Sequence, residues 1–322
     1  MGETFSKVSL YLTPWRHYWS TSPSSGAPRE REYPIDFAPR LADGHFSHFD
    51  DAGLPLRSTH AGPIHNYTRI CGFALAHWSA MGAGGGNPAS RLAFLAAADY
   101  LLETGERAGS ELRLRAEVPG RGHVGRVSAM SQGQAMSVLV RAHRATGDQR
   151  YLDAAMACVG PFERTMDDDG VSARPAGGGV WFEEDTRRPA RHILNGMIFA
   201  LWGLDDLAHA TVAPAAGRLY ASGLETLGER ISRYDNGSWS LYDVPDDARP
   251  YIASMRYHEL HTAQLEALAA GTEVEAFRQI AERFSLYAAS LPLRLRAAAA
   301  LALGKFRGDF RHDEPPKRSI GA

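Results

Sequence analysis

Over most of the chain, apolar residues recur three and four positions apart, the spacing that gathers them on one face of a helix. The pattern predicts a helix from Tyr67 to Met81, stopped by Gly82-Ala83-Gly84-Gly85-Gly86-Asn87-Pro88. Ser90 is expected to cap the next helix, Leu92 to Glu103, with Leu92, Leu95, Ala96 and Tyr100 on one side. Ser128 to Thr146 and Gln149 to Arg164 follow, joined by the turn Gly147-Asp148. Arg191 to Thr211 and Ala215 to Ser232 form another pair, and Tyr257 to Ala270, Glu273 to Ala289 and Leu291 to Gly304 close the series.

Three stretches break this periodicity. Residues 1–60 are rich in Tyr, Trp, Pro and Ser and read as loops and short strands held on the main body by their aromatics. Residues 105–127 mix charge with glycine, and Tyr234 to Ser254 holds an Asn236-Gly237 pair that predicts a β-hairpin turn. The expected architecture is therefore all-α: an α/α toroid, or incomplete α/α barrel, of helical hairpins with a short β-hairpin insert. The irregular N-terminal segment covers 1–60, the α/α-barrel domain 61–306, and a flexible, charged tail 307–322. No repeat of the TPR or HEAT type supports a solenoid instead. In a toroid the long loops gather at one mouth, where a site can form.

Composition acts mainly by exclusion. A formal charge of -2 over 322 residues creates no global field for DNA, RNA or an anionic membrane, while leaving room for a local basic groove facing an acidic substrate. Cys71 and Cys158 both lie in helix-like apolar runs, which favours core packing over a disulfide framework. The start Met1-Gly2-Glu3-Thr4-Phe5-Ser6 is no signal peptide, and no stretch approaches the roughly 18 apolar residues of a transmembrane segment. The expectation is a cytoplasmic protein, with a homodimer left open.

Four segments carry candidate chemistry. Trp181-Phe182-Glu183-Glu184-Asp185 presents carboxylates beside aromatics, ahead of the helix that contains Arg191, His192 and Asn195. Aromatics suit a sugar-binding wall and can desolvate a carboxylate enough to raise its pKa, although three acids in a row most often form a solvated turn. The segment Arg233 to Asp243 offers Tyr234 as an acid or base if it faces a cleft. In Arg256-Tyr257-His258-Glu259-Leu260-His261 the two histidines are three apart, but the position a zinc motif needs for its second histidine is Thr262. Ser128 to Gln134 reads as close helix packing around Gly133, or as Gln132 and Gln134 reaching sugar hydroxyls. The glycine runs are not phosphate cradles, and no nucleophile elbow is present.

Together the segments resemble the C-terminal catalytic domain of D-glucuronyl C5-epimerases. The resemblance rests on Ser128-Ala-Met-Ser-Gln-Gly-Gln134, Trp181-Phe-Glu-Glu184, His192-Ile-Leu-Asn-Gly196, Leu201-Trp-Gly-Leu-Asp-Asp-Leu207, Tyr234-Asp-Asn-Gly-Ser238, Leu241-Tyr-Asp243 and Tyr257-His-Glu-Leu-His261. Tyr33-Pro-Ile-Asp-Phe37 and Asp50-Asp-Ala-Gly-Leu-Pro-Leu56 are similar to the bacterial branch. It implies an α/α barrel that inverts C5 of D-glucuronic acid in a heparosan-like polysaccharide, without a metal or organic cofactor. By position it implies Glu184, Tyr234 and Tyr257 as catalytic groups; the residue types themselves offer Trp181, Asp185, Arg191, Gln132, Gln134, Asn195, His258 and His261 as sugar contacts, with Arg191 at the helix entry as partner of the uronate carboxylate. The sequence leaves open which group is base and which is acid. Where the family commonly has a tyrosine after the second glutamate, this chain has Asp185; if that position takes part in proton transfer, the pKa and reach of the group there are expected to change. The extra β-rich domain and membrane anchor of the animal enzymes are not expected in so short a form. Uronate lyase and inverting hydrolase chemistry on the same toroid, or a polysaccharide-binding module without catalysis, are the competing readings.

Overall fold

The computed structural model describes residues 19–22, 32–82 and 87–306. The tail expected at 307–322, and residues 83–86 of the glycine-rich linker, lie outside the described residues. Among the described residues the chain is mostly helical: α1 (Tyr67–Met81), α2 (Pro88–Thr104), α3 (Ala129–Thr146), α4 (Gln149–Ala157), α5 (Leu194–Ala210), α6 (Pro214–Arg230), α7 (Met255–Gly271), α8 (Glu275–Ala289) and α9 (Leu291–Phe306). No single helix among the described residues is long and apolar enough to cross a membrane.

Two helix ends differ from the periodicity. Asn87, not Ser90, caps α2: its carboxamide oxygen accepts from Ser90 N at 3.2 Å, and Pro88 needs no donor in the first turn. The helix α4 stops at Ala157, before Arg164, because Gly160-Pro161 starts a separate 3₁₀ turn, Gly160–Glu163.

The helices divide into two kinds. α1, α3, α5 and α7 pack in succession, and each takes a second partner in α2, α4, α6 and α8 respectively. The inner helices are buried on nearly all sides; every residue of α5 from Leu194 to Leu207 is buried. The partners bury one stripe, as α8 does with Phe277, Ile280, Ala281, Phe284 and Ala288.

α3 and α5 make the closest contact. A Cβ placed on Gly133 would lie 2.5 Å from Ala200 Cα, and one on Gly203 would collide with the Gly133 backbone. Only glycine at both positions lets the two backbones touch. Further along the same seam the Arg141 guanidinium donates to Asp206 at 2.6 and 3.3 Å, both side chains buried. Each charge there has its counter-ion, which burial demands.

Described residues of the N-terminal segment are part of the core. Tyr33, Ile35 and Phe37 are buried, Phe37 meets Phe199 of α5 at 6.3 Å, and Tyr33 lies under Arg141 at 5.2 Å. Among the described residues four two-stranded antiparallel sheets accompany the helices: β1 (Ser20–Thr21) with β2 (Ile35–Asp36), β3 (Leu56–Thr59) with β4 (Gly62–His65), β5 (Glu106–Ala108) with β6 (Glu111–Arg113), and β7 (Ser172–Ala173) with β8 (Trp181–Phe182). The hairpin expected near Asn236-Gly237 is a tight turn with a single bridge, Asp235 to Ser240, and Gly237 takes φ +83°. Cys71 and Cys158 are buried free thiols.

Candidate active site

β8 delivers two consecutive glutamates to the start of α5, where successive side chains of an extended strand leave on opposite sides. Glu183 turns inward and is 0% exposed. Its two oxygens accept from His192 N at 3.1 Å, and Oε1 lies 2.6 Å from His192 Nδ1. His192 adopts φ +52°, a left-handed conformation that brings backbone and ring donors to one carboxylate. Its Nε2 is 3.3 Å from Asp246, and its carbonyl accepts from the Tyr234 hydroxyl at 2.6 Å. Tyr234 stacks on Trp181 with centroids 5.7 Å apart. Burial acts to lower the His192 pKa, but the hydrogen bonds and charges of Glu183 and Asp246 outweigh it and raise the pKa.

Glu184 leaves on the other side and is only partly buried. One of its oxygens accepts from Asn195 Nδ2 at 3.1 Å, and its side chain rests on Gly196 in the first turn of α5. A Cβ at Gly196 would stand 2.5 Å from Glu184 Cβ and 2.6 Å from Oε2, so the glycine makes the seat for this carboxyl. Burial, then the charge of Asp185, pushes the Glu184 pKa up to about 7, against the lowering effect of the Asn195 hydrogen bond. Asp185 pairs with Arg187 at 2.6 Å and acts on Glu184 as a neighbouring like charge.

Two tyrosines face Glu184 electrostatically. Tyr257, in the first turn of α7, is 39% exposed, and its ring meets that of Tyr242 edge to face at 4.7 Å. The two side chains influence each other's ionisation, which raises the pKa of Tyr242 and lowers that of Tyr257. Burial, and next the Glu184 charge, raise both phenols, but Arg57 and Arg256 oppose this at Tyr257. Tyr257 is therefore the easier of the two to ionise.

His261 borders the pair, its ring 6.5 Å from that of Tyr242. Burial lowers the pKa of both His258 and His261 to about 3, so both are neutral. His258 Nε2 donates to the Phe284 carbonyl at 3.0 Å, and its Nδ1 accepts from Ser240 N at 3.2 Å. The Ser240 hydroxyl lies between the two rings, 2.8 Å from His258 Nδ1 and 3.2 Å from His261 Nδ1. His261 Nε2 is buried without a hydrogen-bond partner among the described residues.

The structure thus brings Glu184, Asn195, Tyr257, His261 and Asp185 together. It places other expected site residues in the framework. Tyr234 and Trp181 are buried on the Glu183 side. Gln132 joins three backbone groups, accepting from Leu114 N and donating to the carbonyls of Leu112 and Cys158. Gln134 is buried within α3. Arg191 donates to Asp243, at 2.7 Å from Nε, and lies 4.3 Å over Tyr251. His258 stacks on Trp239 at 3.8 Å. Tyr242 was not among the expected site residues, although the motif Leu241-Tyr-Asp243 that carries the resemblance contains it; the buried pairing of Asp243 with Arg191 anchors the turn that presents it.

Comparison with known proteins was consistent with this arrangement. The family model described as "D-glucuronyl C5-epimerase C-terminus" matches residues 114–286, which contain every group in the cluster. The "D-glucuronyl C5-epimerase" of Caenorhabditis elegans is 31% identical over 215 residues, 61% of this chain and 35% of that protein. An uncharacterized protein of Methanocaldococcus jannaschii is 29% identical over 140 residues, 42% of this chain and 44% of its own length. The matches span between a third and a half of these curated relatives.

Proposed function

The chain belongs to the D-glucuronyl C5-epimerase C-terminal domain family, and on that premise we propose that it inverts C5 of D-glucuronic acid residues in an anionic, heparosan-like polysaccharide, giving L-iduronic acid. In this reading the successive inner helices belong to an incomplete α/α toroid, with the Glu184 cluster at its mouth.

The chemistry needs two proton-transfer groups. The C5 proton lies α to a carboxylate, so its removal puts a second negative charge on an anionic group, and the product forms only when a proton returns to the opposite face. Glu184, with a pKa of about 7, is matched to neutral pH as a base. Tyr257 is the partner acid on the other face. When it gives its proton to C5 it becomes a phenolate, which the neighbouring Tyr242 and the positive charges of Arg57 and Arg256 favour. The reverse reaction exchanges the two roles. Proton return to Tyr257 and release from Glu184 complete the cycle, with no change of oxidation state and no leaving group. The unpartnered His261 Nε2 is suited to hydrogen-bond a hydroxyl of the same sugar.

The observation that carries the reading is the meeting of the Glu184 carboxyl, bonded to Asn195 and seated on Gly196, with the Tyr242–Tyr257 ring pair, one member of which is open to solvent. The proposal moves the second tyrosine's role from Tyr234, whose hydroxyl is spent on His192 O, to Tyr242. Incubation with heparosan in D2O, followed by NMR at uronate C5, tests it. Deuterium at C5 with iduronate signals, lost in Glu184→Gln, is the expected result. A folded protein that gives no exchange, or an unsaturated product absorbing in the ultraviolet, would overturn it, the second outcome in favour of a lyase.

A further inference from the structure

Gln264, in the third turn of α7, is fully buried and takes no part in the proton transfers described above. It follows Tyr257 by seven residues and His261 by three, a spacing that sets all three on one face of the helix. Its Nε2 donates to the backbone carbonyl of Asn195 at 3.2 Å, which joins α7 to the first turn of α5. Asn195 is the residue whose own amide donates to Glu184 Oε2 at 3.1 Å. From the helix that carries the acid, two amides in series therefore reach the base.

The bonding pattern fits a positioning task better than simple bracing. A carbonyl accepts only from a donor, so the Gln264 amide is oriented with Nε2 toward Asn195 and Oε1 away from it. That oxygen is buried without a hydrogen-bond partner among the described residues, and so is Asn195 Oδ1, because Nδ2 is the atom turned to the carboxyl. An unpaired buried acceptor costs more than one ordinary hydrogen bond returns, and an apolar side chain of the same length would hold the two helices together at less cost. What glutamine adds is a fixed place for Asn195, where its amide meets Glu184.

The surroundings of Glu184 make that placement matter. Asp185 and Glu183 face it from its own stretch of chain, Tyr242 from the turn before Asp243, and Tyr257 from α7. Both acids disfavour its ionised form, and Asn195 supplies the hydrogen bond that favours it. Resting on the function proposed above, we infer that Gln264 is a positioning residue that acts through Asn195. By fixing the Asn195 carbonyl it holds the Asn195 amide on Glu184, and it ties the spacing of Glu184 and Tyr257 to the packing of α5 against α7.

The test uses two variants, each made alone and in an Asn195→Ala background. Gln264→Met keeps the length and removes the donor; Gln264→Asn keeps the amide and shortens its reach. C5 exchange into heparosan in D2O gives kcat, KM and their pH profile. The titration of Glu184 itself is followed in the substrate-free protein by carbon-13 NMR of labelled glutamate carboxyls, assigned with Glu184→Gln. Each variant should lower kcat by about tenfold with KM kept within about twofold. Both should move the Glu184 titration and the rising limb of the profile to higher pH, because the hydrogen bond they loosen lowers that pKa. In the Asn195→Ala background they should change kcat by less than about twofold and leave the titration in place. Unchanged kcat and titration in the folded variants, full effects that persist without the Asn195 side chain, or loss of folding in both variants would make Gln264 a brace and overturn the inference. It fails separately from the epimerase reading. Exchange by wild type with an unmoved Glu184 titration in the variants removes only the positioning role, whereas a moved titration in a protein that gives no exchange removes only the epimerase.

Discussion

Glu183 and Glu184 are adjacent, chemically identical, and live in opposite surroundings. Glu183 is closed in by His192 and lies beneath Tyr234 and Trp181, with donors on both oxygens. Glu184, one residue on, has a single side-chain donor, a glycine beneath it and two tyrosines before it. A carboxylate surrounded by donors holds a loop together. One that is desolvated, lightly hydrogen-bonded and beside another acid is free to trade its proton near neutral pH. The difference comes from which side of a strand each residue leaves.

The sharpest way to break this comparison is to remove each charge in turn. Glu184→Gln should lower C5 exchange by about 10²- to 10⁴-fold while the thermal unfolding midpoint stays near that of wild type. Glu183→Gln should do the converse, taking on the order of 3 kcal/mol from the unfolding free energy in a denaturant titration. Equal stability losses in both variants would mean that the two carboxyls share one structural role.

The tyrosines offer a second, smaller contrast. Tyr242→Phe removes the hydroxyl that lowers the Tyr257 pKa and is expected to slow exchange by roughly 10-fold, a polar partner for a developing charge being worth about 1.5–3 kcal/mol. Tyr234→Phe, which loses only its bond to His192 O, should show as about 1 kcal/mol of stability, with exchange reduced less than in Tyr242→Phe. The opposite ranking of rates would return the role to Tyr234.

Gly196→Ala probes the seat of Glu184 without touching its charge. The added methyl meets the Glu184 side chain, so exchange should fall by about 10-fold or more through displacement alone, while helical content measured by circular dichroism is kept.

The smallest effect is a displacement in pH. In the direction that uses Glu184 as base, the rate should rise as pH passes through about 7, where its carboxyl ionises. Asp185 raises that pKa as a like charge, so Asp185→Asn should move the limb to lower pH. A limb that stays in place, read from a pH profile of the exchange rate, would show that Arg187 already cancels the aspartate.

Much of this architecture was readable in one dimension. Helical periodicity located α1, α3 and α5 to α9 within a few residues, because each helix must carry an apolar face wherever it packs. Gly133 was legible as a close-packing position, and the Glu184, Tyr257 and Asn195 group was legible through the motifs that hold it. Exposure was not. Trp181 suggested a sugar wall by its type, but a strand residue's side is decided by its partner, and β7 turns Trp181 toward Tyr234. Gln132 suggested a ligand contact because its amide could bond anything, and three unpaired backbone groups within reach made it a brace.

The sequence alone determined the local periodicities, the glycines where backbones touch, and the residue types that the site uses, since all of these are properties of short segments. Only the tertiary structure decided that Tyr242 rather than Tyr234 lies against Tyr257, and that Arg57 from β3 approaches Arg256 from α7. Those outcomes depend on burial and on charges brought together across long separations in the chain, and both exist only once the helices have packed.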